Sequence, residues 1–401
     1  MWLLAGLFTL VLLLRGKVVK GDGRITVLAV LVAAFAASTA QTIVVAALPA
    51  FAREFGVSAT AAPWALTVFM LAGAVAIPVA GRLGDRYGYR RIALVCLGFF
   101  VAGQLLCALS GSFPLLLAGR ALAGVSGGLF PLAFGLVRHA VSADRLPHAV
   151  ALLSAMFGIG GAAGMLAAAP LLTAFGAEWL FWPLFALGIV ALLLVLLLPA
   201  DEPAAGARVR QPMVDLRLLR SRAMVVTNLA TVAIGTAMFG VVTLIPHLVP
   251  EDRIVVALLP MVAAMLVTTP LSPRLGGRLS VRAGAALGIA SGVALAFAHD
   301  ELWQICVAGL LLGAGYGLAF SAFGMLVVDA VEARQTGMAT GVNTIARTAS
   351  GAAGAQLAPL LVAVGGNGPA FATFALIAAL ALAITGALPQ RTPNQAAAAP
   401  F

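Results

Sequence analysis

The sequence predicts an all-α integral membrane protein built as two six-helix bundles related by pseudo-two-fold symmetry. Three observations carry this reading. The 401 residues are 62% hydrophobic and only 9% charged, with a mean hydropathy of +1.08, whereas a soluble domain carries roughly a quarter charged residues. The apolar residues fall into twelve runs near the roughly 20 residues that a helix needs to cross a bilayer. A basic stretch in the first half, Gly81 to Arg91, has a worn copy in the second.

The twelve runs are 25–51, 63–80, 92–111, 114–138, 148–174, 180–199, 223–248, 254–272, 283–298, 302–328, 337–364 and 369–388, the eighth and ninth being short. In hydrocarbon the backbone must satisfy its own polar groups, so each run is expected as a helix. Between the halves, 201–222 holds two prolines and five arginines and no run able to cross. It reads as a cytoplasmic linker, with a short amphipathic helix around Met213–Leu219 on the membrane surface. The expected organisation is therefore 1–24 as an apolar segment and basic stretch, 25–200 and 223–389 as the two bundles, and 390–401 as a cytoplasmic tail. Residues 1–14 are apolar, but as a helix they reach only about 21 Å of a roughly 30 Å hydrocarbon core. They lack the basic start and small-residue cleavage site of a signal peptide. An interfacial anchor, a remnant of an upstream helix and a thirteenth span all remain open.

Lysine and arginine orient the bundles. With the 81–91 loop in the cytoplasm, 20 of the 24 basic residues lie on that side; Arg53 and Arg253 lie opposite, and Arg120 and Arg347 fall within helices. This is the positive-inside pattern, and it puts both ends of the twelve-helix core in the cytoplasm. A bacterial inner membrane is the expected location. The net charge of +10 is thereby explained without nucleic acid, which calls for a solvated basic stripe. Cys96, Cys107 and Cys306 sit in apolar runs as small core residues, and the four histidines are scattered. No metal cluster, cofactor-binding motif or nucleophile–base pair stands out, so an enzyme is not expected. The absence of Gly-x4-Gly-Lys-Ser/Thr argues against ATP-driven transport.

The repeat is read from three pairs. Gly81-Arg82-Leu83-Gly84-Asp85-Arg86 aligns with Pro273-Arg274-Leu275-Gly276-Gly277-Arg278 at an offset of 192, which puts Gly277 opposite Asp85. Gly161–Gly164 aligns with Gly351–Gly354 at 190, and Gly128-Leu129 with Phe134-Gly135 aligns with Gly317-Leu318 and Phe323-Gly324 at 189. Duplicated helical bundles are foremost a transporter architecture.

These residues resemble the major facilitator superfamily over about 25–389. Gly81 to Arg91 is similar to its signature loop between helices 2 and 3. Leu117 to Gly124 is similar to its helix 4 motif with an intramembrane arginine, and Gly158 to Gly164 to its helix 5 antiporter motif. Val214–Arg220 and Ala339–Arg347 resemble the bacterial drug–proton antiporters of the fourteen-helix branch. The resemblance implies proton-driven export of small, often hydrophobic compounds by a monomer in the lipid bilayer. Two departures stand out: 201–222 leaves no room for that branch's two additional helices, and its helix 1 acid is replaced by Ala40.

Candidate residues follow. Gly81, Gly84 and Gly88 allow a tight turn, and Asp85 can engage Arg86, Arg90 or a helix end of the other half. The resemblance assigns these to a gate closed when the cavity faces outward, against the plainer reading that the arginines only set topology. Arg120 and Arg347 lie about 10 and 16 Å into their helices, where an arginine costs at least about 3 kcal/mol and usually faces a wet cavity. Snorkelling is the alternative, more open to Arg120. All fourteen carboxylates fall in loops or at helix ends, so Arg347 favours an anionic or acceptor-rich ligand over a lipophilic cation. Asp329 and Glu332, near Arg334, join Asp85 as candidates for proton coupling. Ser38, Gln41, Thr42, Asn228, Thr231, Asn343 and Thr344 are cavity lining or interhelical glue. Gly158, Gly161 and Gly164 read first as a packing face. An importer of an anionic metabolite through Arg347, and a receptor on the same fold, are the other readings.

Overall fold

The computed structural model describes residues 23–142, 146–199, 221–331 and 336–386, so the expectations for 1–14, the linker helix and the tail lie outside the described residues. Among the described residues eleven helices are long and apolar enough to cross a membrane, and a twelfth helix, Leu146–Phe175, accompanies them. In the first half they are α1 (Gly23–Thr42, carried on through Val45–Ala47 and Leu48–Glu54), α2 (Trp64–Tyr87), α3 (Tyr89–Ala108), α4 (Phe113–Gly124, Val125–Gly128 and Leu129–Ala140), α5 (Leu146–Phe175) and α6 (Trp182–Leu196). The second half holds α7 (Arg222–Leu244), α8 (Ile254–Thr268, then Thr269–Leu271 and Ser272–Leu275), α9 (Gly277–Phe297), α10 (Leu302–Asp329), α11 (Thr336–Gly365) and α12 (Asn367–Thr385). Proline explains the interruptions in α1 and α8. It lacks a donor and is tolerated in a first turn, and Pro49 and Pro270 stand where those helices restart. The apolar run expected for α9 begins at 283, yet the helix starts at Gly277, because the connection before it is a single residue.

That connection corrects the loop expected at 81–91. Gly81 to Tyr87 complete α2, and the turn is Gly88 alone, at φ 95° and ψ 138°, which only glycine adopts without strain. Gly276, at φ 81° and ψ 150°, makes the matching turn between α8 and α9. Gly88 N–H donates to the carbonyl of Gly84 at 2.9 Å and Gly276 N–H to that of Ser272 at 3.1 Å; Ile92 and Ser280 then donate back to Gly88 and Gly276. The true register of the repeat here is thus 188 (276 minus 88), not 192. Asp85 stands opposite Pro273 rather than Gly277. A second pair of turns recurs at its own offset: Gly176 (φ 95°) closes α5 and Gly366 (φ 82°) closes α11, 190 residues apart.

Within each half, helices meet backbone to backbone. A Cβ on Gly164 of α5 would overlap Thr42 Oγ1 and lie 2.6 Å from the Thr39 carbonyl of α1, and one on Gly160 would lie 2.7 Å from Ser38 Cβ. Gly161 is looser, at 3.6 Å from Thr42 Cγ2, but its carbonyl accepts the Thr42 hydroxyl at 2.8 Å. The tight face is therefore Gly160 and Gly164, four apart, more than the expected 158, 161 and 164. α7 and α11 repeat this contact: Gly354 faces the Thr236 carbonyl and Gly240 N–H as Gly164 faces Thr39 and Ile43.

The two halves join at one end. Ile43, Leu48 and Met70 share a single core with Ala237, Val241 and Ile245. There, too, Gln356 of α11 donates to Thr67 Oγ1 of α2 at 2.9 Å, and Gly351 abuts Met70. This is the distal end, away from Arg82, Arg86 and Arg90. Toward the basic end the cores part: Val30, Leu97, Leu132 and Leu153 pack within the first half alone, while Met224, Val327 and Ala339 form a separate cluster in the second.

Two outcomes follow. Gly164→Val is expected to lower the melting temperature in detergent, by overpacking worth about 1–3 kcal/mol, while Gly161→Ala melts near the wild type. Gln356→Leu removes a hydrogen bond between the halves worth about 1 kcal/mol. Distal cysteine labelling is expected to become about fivefold faster, and an unchanged rate would count against the bond as a latch.

Candidate functional site

One face of α11 crosses from the closed end into the open region. Gly351 lies on it against Met70 and Phe239. Arg347, one turn nearer the basic end, lies on the same face. It is partly exposed, about 16 Å along α11 from Thr336, so it remains at depth. Its guanidinium carbon stands 5.9 Å from the ring centroid of Phe320 on α10. Phe320 stacks on Tyr316, one turn away, at 4.2 Å and an interplanar angle of 2°. Phe239 of α7 meets Tyr316 edge-on at 5.9 Å, and Phe323 meets Phe320 at 6.1 Å. Gly324, one turn beyond Phe320, and Gly341 on α11 face open space. Tyr316, Phe320 and the Arg347 guanidinium thus stand together, with open space at Gly324 and Gly341 nearer the basic end.

The other polar candidates mostly bind helices. Asn343 Nδ2 donates to Thr231 Oγ1 at 2.8 Å and Asn228 Oδ1 at 3.1 Å, tying α11 to α7. Thr344 donates to the Thr340 carbonyl and Ser38 to that of Ala34. Gln41 is half-buried on α1 and remains a lining residue. Asp329 ends α10; Glu332 and Arg334 lie outside the described residues, and Gly158 sits within α5.

Arg120 has a different setting from Arg347. It is 0% exposed, its Nε donates to the Ala65 carbonyl at 2.8 Å, and its guanidinium lies 4.2 Å over the Phe69 ring. Both terminal nitrogens lack a hydrogen-bond partner among the described residues. It neither snorkels nor lines the cleft; it joins α4 to α2 from inside.

At the turn, Tyr89 donates its hydroxyl to Asp85 Oδ1. The Tyr89 ring fills the space that Gly84 and Gly135 leave open. Arg90 donates to the carbonyls of Val195 at 3.2 Å and Leu196 at 2.7 Å at the end of α6. Arg86 lies 5.1 Å from the Tyr87 ring. These partners all belong to the first half, and among the described residues Asp85 makes no ion pair. Among the described residues, the contacts of Asp85 and Arg86 stay within the first half. Sequence reasoning missed Tyr89, Thr67, Gln356, Tyr316 and Phe320. Only the i, i+4 spacing of Tyr316 and Phe320 gave a signal, and that spacing also describes ordinary core.

Arg120→Met is expected to melt at or above the wild-type temperature. It removes an arginine whose burial costs about 3 kcal/mol on insertion scales and leaves an apolar side chain over Phe69. A clear drop in detergent would mean that the guanidinium is better satisfied than its contacts indicate.

The comparisons bear on this geometry. An MFS-type transporter of Mycobacterium tuberculosis is 35% identical over 184 residues, covering 45% of this chain and 26% of that protein. The multidrug resistance protein B homolog of the same organism is 32% identical over 167 residues, 41% of this chain and 31% of that protein. The tetracenomycin C resistance and export protein of Streptomyces glaucescens is 33% identical over 183 residues, 45% and 34%. The aligned segment thus spans about a third or less of these relatives' lengths. Among solved structures, the human organic anion transporter MFSD10 superposes with a TM-score of 0.69 at 17% identity, covering 91% of this chain and 100% of that one; at that identity it speaks for the fold alone. The family model of the Major Facilitator Superfamily matches residues 30–254 and 253–401, and with both halves matched, the chain belongs to the Major Facilitator Superfamily.

Proposed function

We propose that the chain is a secondary transporter that exports small, hydrophobic molecules across the cytoplasmic membrane in exchange for protons, by alternating access. One observation carries the reading. The halves are joined at the distal end and parted at the basic end, which the arginine bias assigns to the cytoplasm. A polar and aromatic cleft open to the cytoplasm is the loading state of an exporter. Rocking the halves about the seam would close it at Gly88 and open it distally. The names of two relatives, a multidrug resistance homolog and a tetracenomycin C exporter, support the direction.

Proton coupling must use an unusual set, since Ala40 stands where the resemblance expects an acid. Asp85 and Asp329, both at the basic end of their helices, are the candidates we propose for that role.

The test is accumulation of a hydrophobic dye in pump-deficient bacteria that express the full chain. Expression is expected to lower dye accumulation several-fold, and an uncoupler to restore it. Accumulation that rises on expression would replace export with uptake, and efflux that ignores the uncoupler would remove the proton.

A further inference from the structure

We infer that Asn228 of α7 and Asn343 of α11 form a hydrogen-bonding site for the neutral carboxamide of a hydrophobic substrate. The apolar body of that substrate would lie along Val225, Leu229 and Val232. The inference rests on the exporter reading and narrows its substrate class.

Three features point the same way. First, the pair holds more polar atoms than joining two helices needs. Asn343 Nδ2 donates to Thr231 Oγ1 at 2.8 Å, and that bond already ties α11 to α7. Asn228 Oδ1 is a second acceptor for the same nitrogen, at 3.1 Å. Asn343 Oδ1 and Asn228 Nδ2 are left over. Neither has a partner among the described residues, and neither is sealed off from its surroundings. One is an acceptor and the other a donor, and the bonds that their amides already make restrain how each points. A carboxamide answers both, since its carbonyl accepts from Asn228 and its N–H donates to Asn343. Second, an apolar strip adjoins the pair and does not face lipid. In α7, 89% of the apolar stretch is buried, against 33–44% in α3, α6, α8, α9 and α12. From Ala233 to Pro246 every residue is buried. The large apolar residues that stay exposed are confined to the basic end, where Val225, Leu229 and Val232 are 39%, 51% and 41% exposed. A helix so enclosed has little lipid face, so this strip opens on the gap between the halves. Asn228 stands at its edge, about 60° around the helix from Val225 and about 40° from Val232. Third, the recognising atoms are neutral. The runs 223–248, 302–328 and 337–364 contain no Asp or Glu, so α7, α10 and α11 offer a cation no counter-charge there. A ligand that covers the pair without answering its donor and acceptor leaves them unpaired, which makes such a site selective.

The experiment measures equilibrium binding to the purified full chain in detergent, without transport. The probes share one ring system: naphthalene-2-carboxamide, the methyl ester of naphthalene-2-carboxylate, which has no N–H, and the free carboxylate. The carboxamide is expected to bind about tenfold tighter than the ester, as one hydrogen bond would give, and tighter than the carboxylate. Asn228→Leu and Asn228→Ala should each bring carboxamide and ester to within about twofold. Thr231 still ties Asn343 in both variants, so both are expected to fold, and either one that does decides. Leu229→Ala should weaken carboxamide and ester alike, about fivefold, as loss of an apolar contact would, and keep their ratio. Equal affinity for carboxamide and ester, tightest binding of the carboxylate, or an undiminished carboxamide preference in a folded Asn228 variant would overturn the inference. The last of these is what a purely structural asparagine would give. Efflux without a carboxamide preference in binding sinks the site and leaves the exporter reading. Carboxamide preference without efflux supports the site and sinks export.

Discussion

Close approach of helix backbones is the interaction on which the rest of this structure depends. Lipid tails are as apolar as leucine, so hydrocarbon gives helices no hydrophobic reason to associate, and packing with polar contact must hold them. The chain meets this by removing side chains where helices cross. Gly103 and Gly119 bring α3 and α4 together, Gly73 and Gly127 bring α2 and α4, and Gly284 and Gly315 bring α9 and α10. At each, a Cβ would press on the backbone or Cα of the facing helix, leaving little room for give. The consequence is two stiff bodies. Polar bridges such as Thr42 to Gly161 and Asn343 to Thr231 add direction to contacts that small residues already permit.

The seam between the bodies is built differently. It is largely apolar, and Met70 lies over Gly351, where an unbranched, adaptable side chain suits a surface that the proposed rocking would part. The bond between Gln356 and Thr67 crosses there, at a strength of about 1 kcal/mol. Moving a two-state equilibrium from one extreme to the other takes about 5.5 kcal/mol of differential binding. A seam held by strong ion pairs would exceed what ligand and proton supply. Stiff halves with a weak junction are what rocking requires.

The helices and the division into two halves were legible in the sequence, because hydrocarbon imposes length and apolarity that composition reports directly. The register at the turns was misread for an equally physical reason. Matching Arg-Leu-Gly to Arg-Leu-Gly aligned Gly84 with Gly276, whereas the backbone aligns Gly88, the residue with positive φ, with Gly276. What the turn requires is that one conformation and a carbonyl four residues earlier; helical positions around it accept Asp85 in one copy and Pro273 in the other. The candidate site was half legible. Depth singled out Arg347, but its aromatic neighbours come from the preceding helix, and their i, i+4 spacing looks like core. For Arg120 the sequence gave depth and could not give enclosure, since that depends on Ala65 and Phe69 of a different helix.

The contrast between those two arginines shows how one residue type serves two ends. Arg120 is sealed between α2 and α4, inside a single rigid body, so its surroundings stay the same whichever way the halves rock. Arg347 lies one helical turn below the contact of Gly351 with Met70, so its surroundings are set by whether the seam is open. Electrostatic interactions strengthen as water is excluded, and only Arg347 is placed to feel that change during a cycle. Coupling between sites is reciprocal, so in the proposed cycle a ligand that binds better in one state of the seam would bias the seam toward that state. Under that reading, the place of Arg347 one turn from the contact of Gly351 with Met70, more than its charge alone, is what would let binding there act on the rocking.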